Sequence, residues 1–280
     1  MQFREASSAD RDAILDLRAR CFGDVDPEKR DPRFWDWEFG RARIFVGEED
    51  GRLATHLALI DMPGAAALAV DAMTAPEARG TGAFTGVVSY AMRSTNFPIT
   101  TAYQIRAAVL SAMLRGGFVT AERVPILIRP ILFRSTGRTT GDILRREDCE
   151  WMGRIARTPE FLAWRFFDNP LWQYRVTGVR DRAYLVARRT VLKGYDTFAI
   201  ADFAWRDARA ARDLLRRAIA DARREGCTLI AAFVSRAHPA FRFLLLRGFL
   251  PGPHWFRLLV HPAHEAKRTW RVMWADTDHL

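Results

Sequence analysis

Lysine is almost missing from this sequence. Of 43 lysine and arginine residues only Lys29, Lys193 and Lys267 are lysine, which leaves 40 arginines. Cysteine is as scarce, and Cys21, Cys149 and Cys227 are odd in number and far apart. That pattern excludes a disulfide framework and matches no zinc-ligand spacing. No uninterrupted apolar run approaches the roughly 18 residues of a membrane span. The opening Met1-Gln2-Phe3-Arg4-Glu5-Ala6 reads as a first strand and lacks the apolar core of a signal peptide. A cytoplasmic protein with no membrane partner is therefore expected. The net charge of +10 rests on scattered arginines, a distribution that a GC-rich coding bias explains. It gives no argument for nucleic acid as partner, although a basic surface helps collect an anionic small molecule. What is present is core: 49% of the residues are hydrophobic and 12% aromatic. At 280 residues the chain has room for two compact units.

The chemistry enters between Val70 and Asn96. A small, apolar run from Ala65 to Val70 reads as a buried strand, and Phe84, Val87, Val88, Ala91 and Met92 then mark one face of a helix. Between them lie Pro76, Gly80 and Gly82, so this is a strand-to-helix turn whose glycines leave the backbone free to bend and a ligand free to approach. Unpaired N–H groups at a helix start, with the helix dipole behind them, favour an anion such as a pyrophosphate. Arg79 adds a full positive charge.

The run Pro76-Glu77-Ala78-Arg79-Gly80-Thr81-Gly82-Ala83 resembles the acetyl-coenzyme A signature of the GCN5-related N-acetyltransferases. That pattern is Arg or Gln, two residues, Gly, one residue, then Gly or Ala, and Arg79, Gly82 and Phe84 fall on its places. Phe84 departs from the small residue expected last. The resemblance implies a cofactor site from Met73, Thr74, Arg79, Gly80, Thr81, Gly82, Ala83 and Phe84, with a backbone N–H near Met73 polarising the thioester carbonyl. It also implies acetyl-CoA as co-substrate and an amine as acceptor.

Along the chain, Ser8 is placed to cap a helix carrying Ala13, Ile14, Leu17 and Cys21. Asp31-Pro32 opens a second helix, and Glu49-Asp50-Gly51 joins two strands as a hairpin. After the glycine loop and its helix come a strand at 97–103, a helix at 107–115 and the turn Gly116-Gly117-Phe118. The pattern then repeats. Pro32, Phe34, Trp37 and Phe39 recur 127 residues later as Pro159, Phe161, Trp164 and Phe166, and Gly117-Phe118 recurs 131 residues later as Gly248-Phe249. The order of elements gives an α/β (α+β) fold with mixed, mostly antiparallel sheets flanked by helices, and the resemblance implies two tandem acyl-CoA N-acyltransferase folds. The expected divisions are a catalytic domain at 1–124, a linker at 125–150 with breakers from Ser135 to Gly141, a degenerate domain at 151–262 and a tail at 263–280. The second half has no glycine loop. It has Trp205-Arg206-Asp207-Ala208, in which Asp207 caps the next helix with its own carboxylate.

Acyl transfer to an amine needs a base, donors for the oxyanion and a departing sulfur. Asp71, the carboxylate inside an otherwise apolar strand, is the first candidate base, and His56 is the alternative. The family often places a tyrosine four residues before Gly-Phe as the acid. Here that place holds Met113 and, in the second half, Leu244, so Tyr103 is the substitute. His261 with His264, and Asp276 with Asp278, offer only two ligands each and are read as surface, so no metal is expected. The reading is an N-acetyltransferase acting on a primary amine. Its rivals are an acyltransferase using another acyl-CoA and a non-catalytic acyl-CoA-binding sensor or regulatory module. The acceptor stays open, as does a homodimer.

Overall fold

The computed structural model describes residues 1–23, 30–104, 107–131 and 141–277. It divides into two compact units: Met1–Arg123 with Phe256–Arg268, and Val124–Trp255 with Thr269–Leu280. In the first unit the order is β1 (Gln2–Glu5), α1 (Arg11–Phe22), α2 (Pro32–Phe39), β2 (Ala42–Glu49), β3 (Arg52–Met62), β4 (Ala66–Thr74), α3 (Ala83–Ser94), β5 (Ile99–Gln104) and α4 (Ala107–Arg115), followed by the start of β6 (Val119–Pro130). Strands β1 to β4 pair antiparallel, and β5 joins β4 in parallel.

Local chemistry accounts for most boundaries. Asp31 accepts from the Arg33 N–H at 2.8 Å with Pro32 in the first turn, which starts α2. Asp50 and Gly51 both take positive φ (50° and 74°), as a two-residue hairpin between twisted strands requires. Ser8 is not a cap: it lies in a short 3₁₀ turn, Ser8–Asp10, and α1 begins at Arg11. Val87, Val88 and Ala91 of α3 are fully buried against Leu57, Leu59, Ala67 and Ala69. On the other face Ile14 and Leu17 of α1 pack on Val46 and Met73. Each such valine or leucine stabilises by about 1.5–3 kcal/mol, so the sheet is held from both sides.

Two irregularities of β4 shape the site. Its ladder with β5 runs only from Ala66–Leu68 against Ile99–Thr101, although both strands continue further. Its ladder with β3 slips one residue between Val70 and Met73, and Asp71 sits in that bulge at φ 51°.

The second unit holds the rest of β6, then β7 (Asp142–Ile143), α5 (Cys149–Gly153), α6 (Pro159–Leu162), β8 (Arg175–Val179), β9 (Ala183–Leu192), β10 (Tyr195–Trp205), α7 (Ala208–Arg224), β11 (Leu229–Phe233), α8 (Pro239–Leu245) and the start of β12 (Leu250–His261). Strands β7 to β10 pair antiparallel, β11 joins β10 in parallel, and β6 pairs antiparallel with β11. The series strand, strand, helix, strand, helix thus occurs once in each unit. The core of the second gathers Leu214, Leu215, Ala218, Ile219 and Ala222 from one face of α7. The second part of β12 belongs to the first unit, where Arg257–His261 pair with β5.

The structure differs from the sequence expectation at three joints, the first being that residues 256–262, read as the end of the second domain, belong to the first unit. The stretch read as a linker opens with strand: Ile126–Pro130 pair with Phe233–Leu229, and the prolines at 125 and 130 stand beside or at the end of that ladder. Of the breaker-rich run, only Gly141 lies inside the described residues. The stretch read as a tail is core from Val272 to Ala275, and Asp276 is ion-paired with Arg157 rather than free at the surface. His261 also packs, with its ring 5.5 Å from that of Phe118. Asp278 is outside the described residues.

Candidate active site

The eight residues expected to hold the cofactor line one cavity of about 860 Å³ in the first unit. Met73 and Thr74 come from the end of β4, beyond its last pair with β5, and the loop Ala75–Gly82 carries the chain to α3. Gly80 and Gly82 both have positive φ (83° and 88°), and a Cβ added at either would meet nothing within 4 Å. Glycine is required there for the backbone conformation, and it leaves the amides uncovered. Gly82 is the N-cap of α3 and supplies no side chain to cap it. The first N–H groups of a 12-residue helix are thus left for a ligand. Thr85 brings a hydroxyl to the same wall, buried and without a hydrogen-bond partner among the described residues. Arg79 is exposed, with its Nε donating to the Thr74 carbonyl at 3.3 Å. Phe84 lines the cavity and is otherwise buried in the core with Val87, Val88 and Ala91.

Sequence reasoning missed the opposite wall. Cys21 and Phe22 come from the last turn of α1, and Ala108, Val109, Ser111, Ala112 and Arg115 from α4. Only Arg115 carried a signal, as a cation at the end of a helix otherwise apolar on that side. Burial pushes the Cys21 thiol up, while Arg79, the Thr74 backbone and Arg20 oppose that.

The candidate catalytic side chains do not line the cavity. Asp71 pairs with Arg18 of α1, and both side chains are buried. His56 is fully buried, and its Nδ1 lies 2.8 Å from the Asp71 carbonyl. A carbonyl only accepts, so Nδ1 carries the proton and Nε2 the lone pair. Nε2 has no hydrogen-bond partner among the described residues. Burial lowers the His56 pKa, chiefly by desolvation, with Asp71 pulling the other way. His56 and Asp71 are therefore together, across the bulge. Tyr103 is buried on β5 opposite Leu258, and Met113 is wholly core.

The second unit repeats the bulge, and bulky rings stand where the first unit has its cavity. Asp202 lies 131 residues after Asp71, again at a register slip, and again bonded to an arginine (Arg157, 3.1 Å). Tyr184 donates to the same carboxylate at 2.9 Å. But the residues 131 after Thr74 and Ala112, which line the first cavity, are Trp205 and Phe243, whose rings meet at a tilt with centres 4.6 Å apart. The loop before α7 shrinks to Arg206-Asp207, and Asp207 accepts from the Arg209 and Ala210 N–H groups at 2.8 and 3.4 Å. Large rings fill the space and a carboxylate fills the helix end. Asp207→Ala should therefore cost about 0.5–2 kcal/mol of stability as a lost cap and leave acetyl-CoA affinity unaltered, as paired melting and calorimetry would show.

Among the described residues no group of His, Cys, Asp or Glu is arranged to hold a metal ion, and no helix is long and apolar enough to cross a membrane.

Residues 2–96 match the family model described as an acetyltransferase (GNAT) domain. Solved structures share the fold over most of the chain. A GCN5-related N-acetyltransferase from Anabaena variabilis aligns with a TM-score of 0.68 at 13% identity, covering 92% of this chain and 72% of its own. One from Kribbella flavida gives 0.67 at 17%, covering 92% and 71%. A tandem GNAT protein from the clavulanic acid biosynthesis pathway gives 0.60 at 14%, covering 92% of this chain and 97% of its own. No curated protein matches the sequence. Residues 2–96 are thus similar to a GNAT acetyltransferase domain, and the chain shares the fold of the GNAT structures it aligns with.

Proposed function

We propose that the chain is an N-acetyltransferase that moves an acetyl group from acetyl-CoA to a primary amine, with one active site, in the first unit. The observation that carries this reading is the contrast between the two equivalent helix starts. The α3 start is uncapped, glycine-lined and open to a cavity of about 860 Å³, whereas the α7 start is capped by Asp207. The residues fit a nucleotide thioester. The amides after Gly82, the Thr85 hydroxyl and the Arg79 charge suit the pyrophosphate, and the walls from α1 and α4 suit the arm that follows it.

When bound, acetyl-CoA supplies an acyl carbon on a thiol leaving group. The amine nitrogen bonds to that carbon, the carbon–sulfur bond breaks, and the amine loses a proton while the thiolate gains one. The widening between β4 and β5 beyond Leu68 gives the thioester a way in beside Met73. For the base we assign His56, which lies opposite Met73 on the β3–β4 ladder and carries the lone pair on Nε2; because it does not itself line the cavity, it takes the amine proton through one water. Asp71, held by Arg18, is then a positioning residue that fixes the bulge whose carbonyl orients the imidazole. A thiol with an ordinary pKa of roughly 8.5 leaves without a dedicated acid, which accords with Met113 in the acid's place. A thiol-release screen of amine panels with acetyl-CoA tests the activity. Saturable acetyl-CoA binding with no thiol release from any amine would favour the sensor reading, and a faster reaction with a longer thioester would change the donor.

A further inference from the structure

Four arginines in the second unit meet around a cavity of about 440 Å³ far from any glycine loop in sequence. Arg129 comes from β6, Arg212 and Arg216 from α7, and Arg247 from the turn after α8. The sequence pattern reads the α7 arginines as one solvated stripe, but the fold sorts them. Arg217 turns to the Gly141 carbonyl and Arg224 to Asp221, while Arg212 and Arg216 face the cavity. No carboxylate lines it. Arg216 has Asp213 at 2.9 Å, and Arg129 and Arg212 have no acidic partner among the described residues. Arg247 is fixed in place: it donates to the Phe243 carbonyl at 2.8 Å and its guanidinium lies 3.5 Å from the Phe243 ring centre. Burial and then the charges of Arg212 and Arg216 hold its pKa below the usual arginine value. Like charges brought together by three separate segments repel unless an anion joins them.

The floor is apolar. Leu215 and Ile219 are buried, and Leu246 presents its side chain at 81% exposure beside the guanidiniums. Guanidiniums match phosphate oxygens in geometry as well as charge, and the volume suits a small organic ligand. We propose that this cavity binds an organic phosphate, its phosphoryl group on Arg129, Arg212, Arg216 and Arg247 and its apolar part on the exposed Leu246. The site is separate from the acyl-transfer centre and does not depend on it.

The test is calorimetry with 1-naphthyl phosphate and with inorganic phosphate, on the full chain carrying Gly82→Glu so that the loop in the first unit is blocked. One saturable equivalent of 1-naphthyl phosphate is expected. Arg212→Gln, at an exposed position, should weaken it about tenfold, the loss of one charged hydrogen bond. Arg212→Glu with Arg216→Glu should remove it. Leu246→Ala should weaken 1-naphthyl phosphate but not inorganic phosphate. Binding that Arg212→Gln and the double charge reversal both leave unchanged, in variants with native circular dichroism, would overturn the proposal, as would the absence of saturable binding. A second equivalent that ignores the arginine variants would point instead to the glycine loop, and so to a fault in the acyl-CoA reading alone.

Discussion

Gly82→Glu is expected to abolish acetyl-CoA binding in a protein that still folds. The backbone there has φ 88°, so any side chain costs roughly 1–2 kcal/mol in a left-handed conformation. Nothing within 4 Å obstructs the new Cβ, and a carboxylate at a helix start regains about 0.3–1 kcal/mol from the dipole. The variant thereby gives α3 the arrangement Asp207 gives α7, a fixed negative charge on the amides. A pyrophosphate must then compete with that charge. Gly82→Ala separates the two effects, since it shares the backbone strain and lacks the carboxylate. Calorimetry should show at least a roughly 100-fold loss for glutamate and a much smaller one for alanine. Unchanged affinity in folded Gly82→Glu would remove the loop from the site.

The second large effect concerns the base, and it separates two neighbours. His56→Asn keeps a donor for the Asp71 carbonyl and removes the Nε2 lone pair. It should lower kcat/KM by roughly 10²-fold or more while sparing acetyl-CoA affinity. Asp71→Asn should show itself first as instability, because it leaves the buried Arg18 charge without its carboxylate, a change that costs about 3–5 kcal/mol at buried pairs. The pH dependence follows from the direction of the histidine shift. Burial depresses the His56 pKa below the ordinary value of about 6.5, so the base is neutral at pH 7 and kcat/KM should fall only on the acid side of that value. Stability has the same sign. Below pH 6.5 the unfolded chain takes up a proton that folded His56 refuses, so this contribution is present above that pH and is lost as pH falls. His56→Asn should lessen the drop in melting temperature between pH 7 and 5. A His56→Asn protein with wild-type turnover, beside a stable but inactive Asp71→Asn protein, would return the base to Asp71.

Much of this was legible in the residues because local rules act on adjacent positions. The glycines at 80 and 82, the periodicity of α3 and the Asp207 cap are read from neighbours in sequence, and the structure places them as the pattern implies. What lay beyond reading depends on segments far apart. Cys21 and Arg115 reach the cavity because α1 and α4 pack where they do. Asp71 stood out as a charge in an apolar strand, but its partner Arg18 is 53 residues away. A clue was available even so. Asp202 repeats Asp71 at the 131-residue offset of the two Gly-Phe turns, in a half without the glycine loop. A carboxylate kept where the glycine loop is lost reads as part of the fold before it reads as part of the chemistry. The strand at 126–130 was hidden for a different reason. Its prolines signal a break, and only β11 beside it shows that the ladder tolerates them.

The central claim is that a duplicated fold keeps a single acyl-CoA site, and the stoichiometry of acetyl-CoA binding tests it most directly. Titration calorimetry on the full chain should give one equivalent, absent in Gly82→Glu and intact in Asp207→Ala. Two equivalents, or one that survives Gly82→Glu and disappears in Asp207→Ala, would contradict the account.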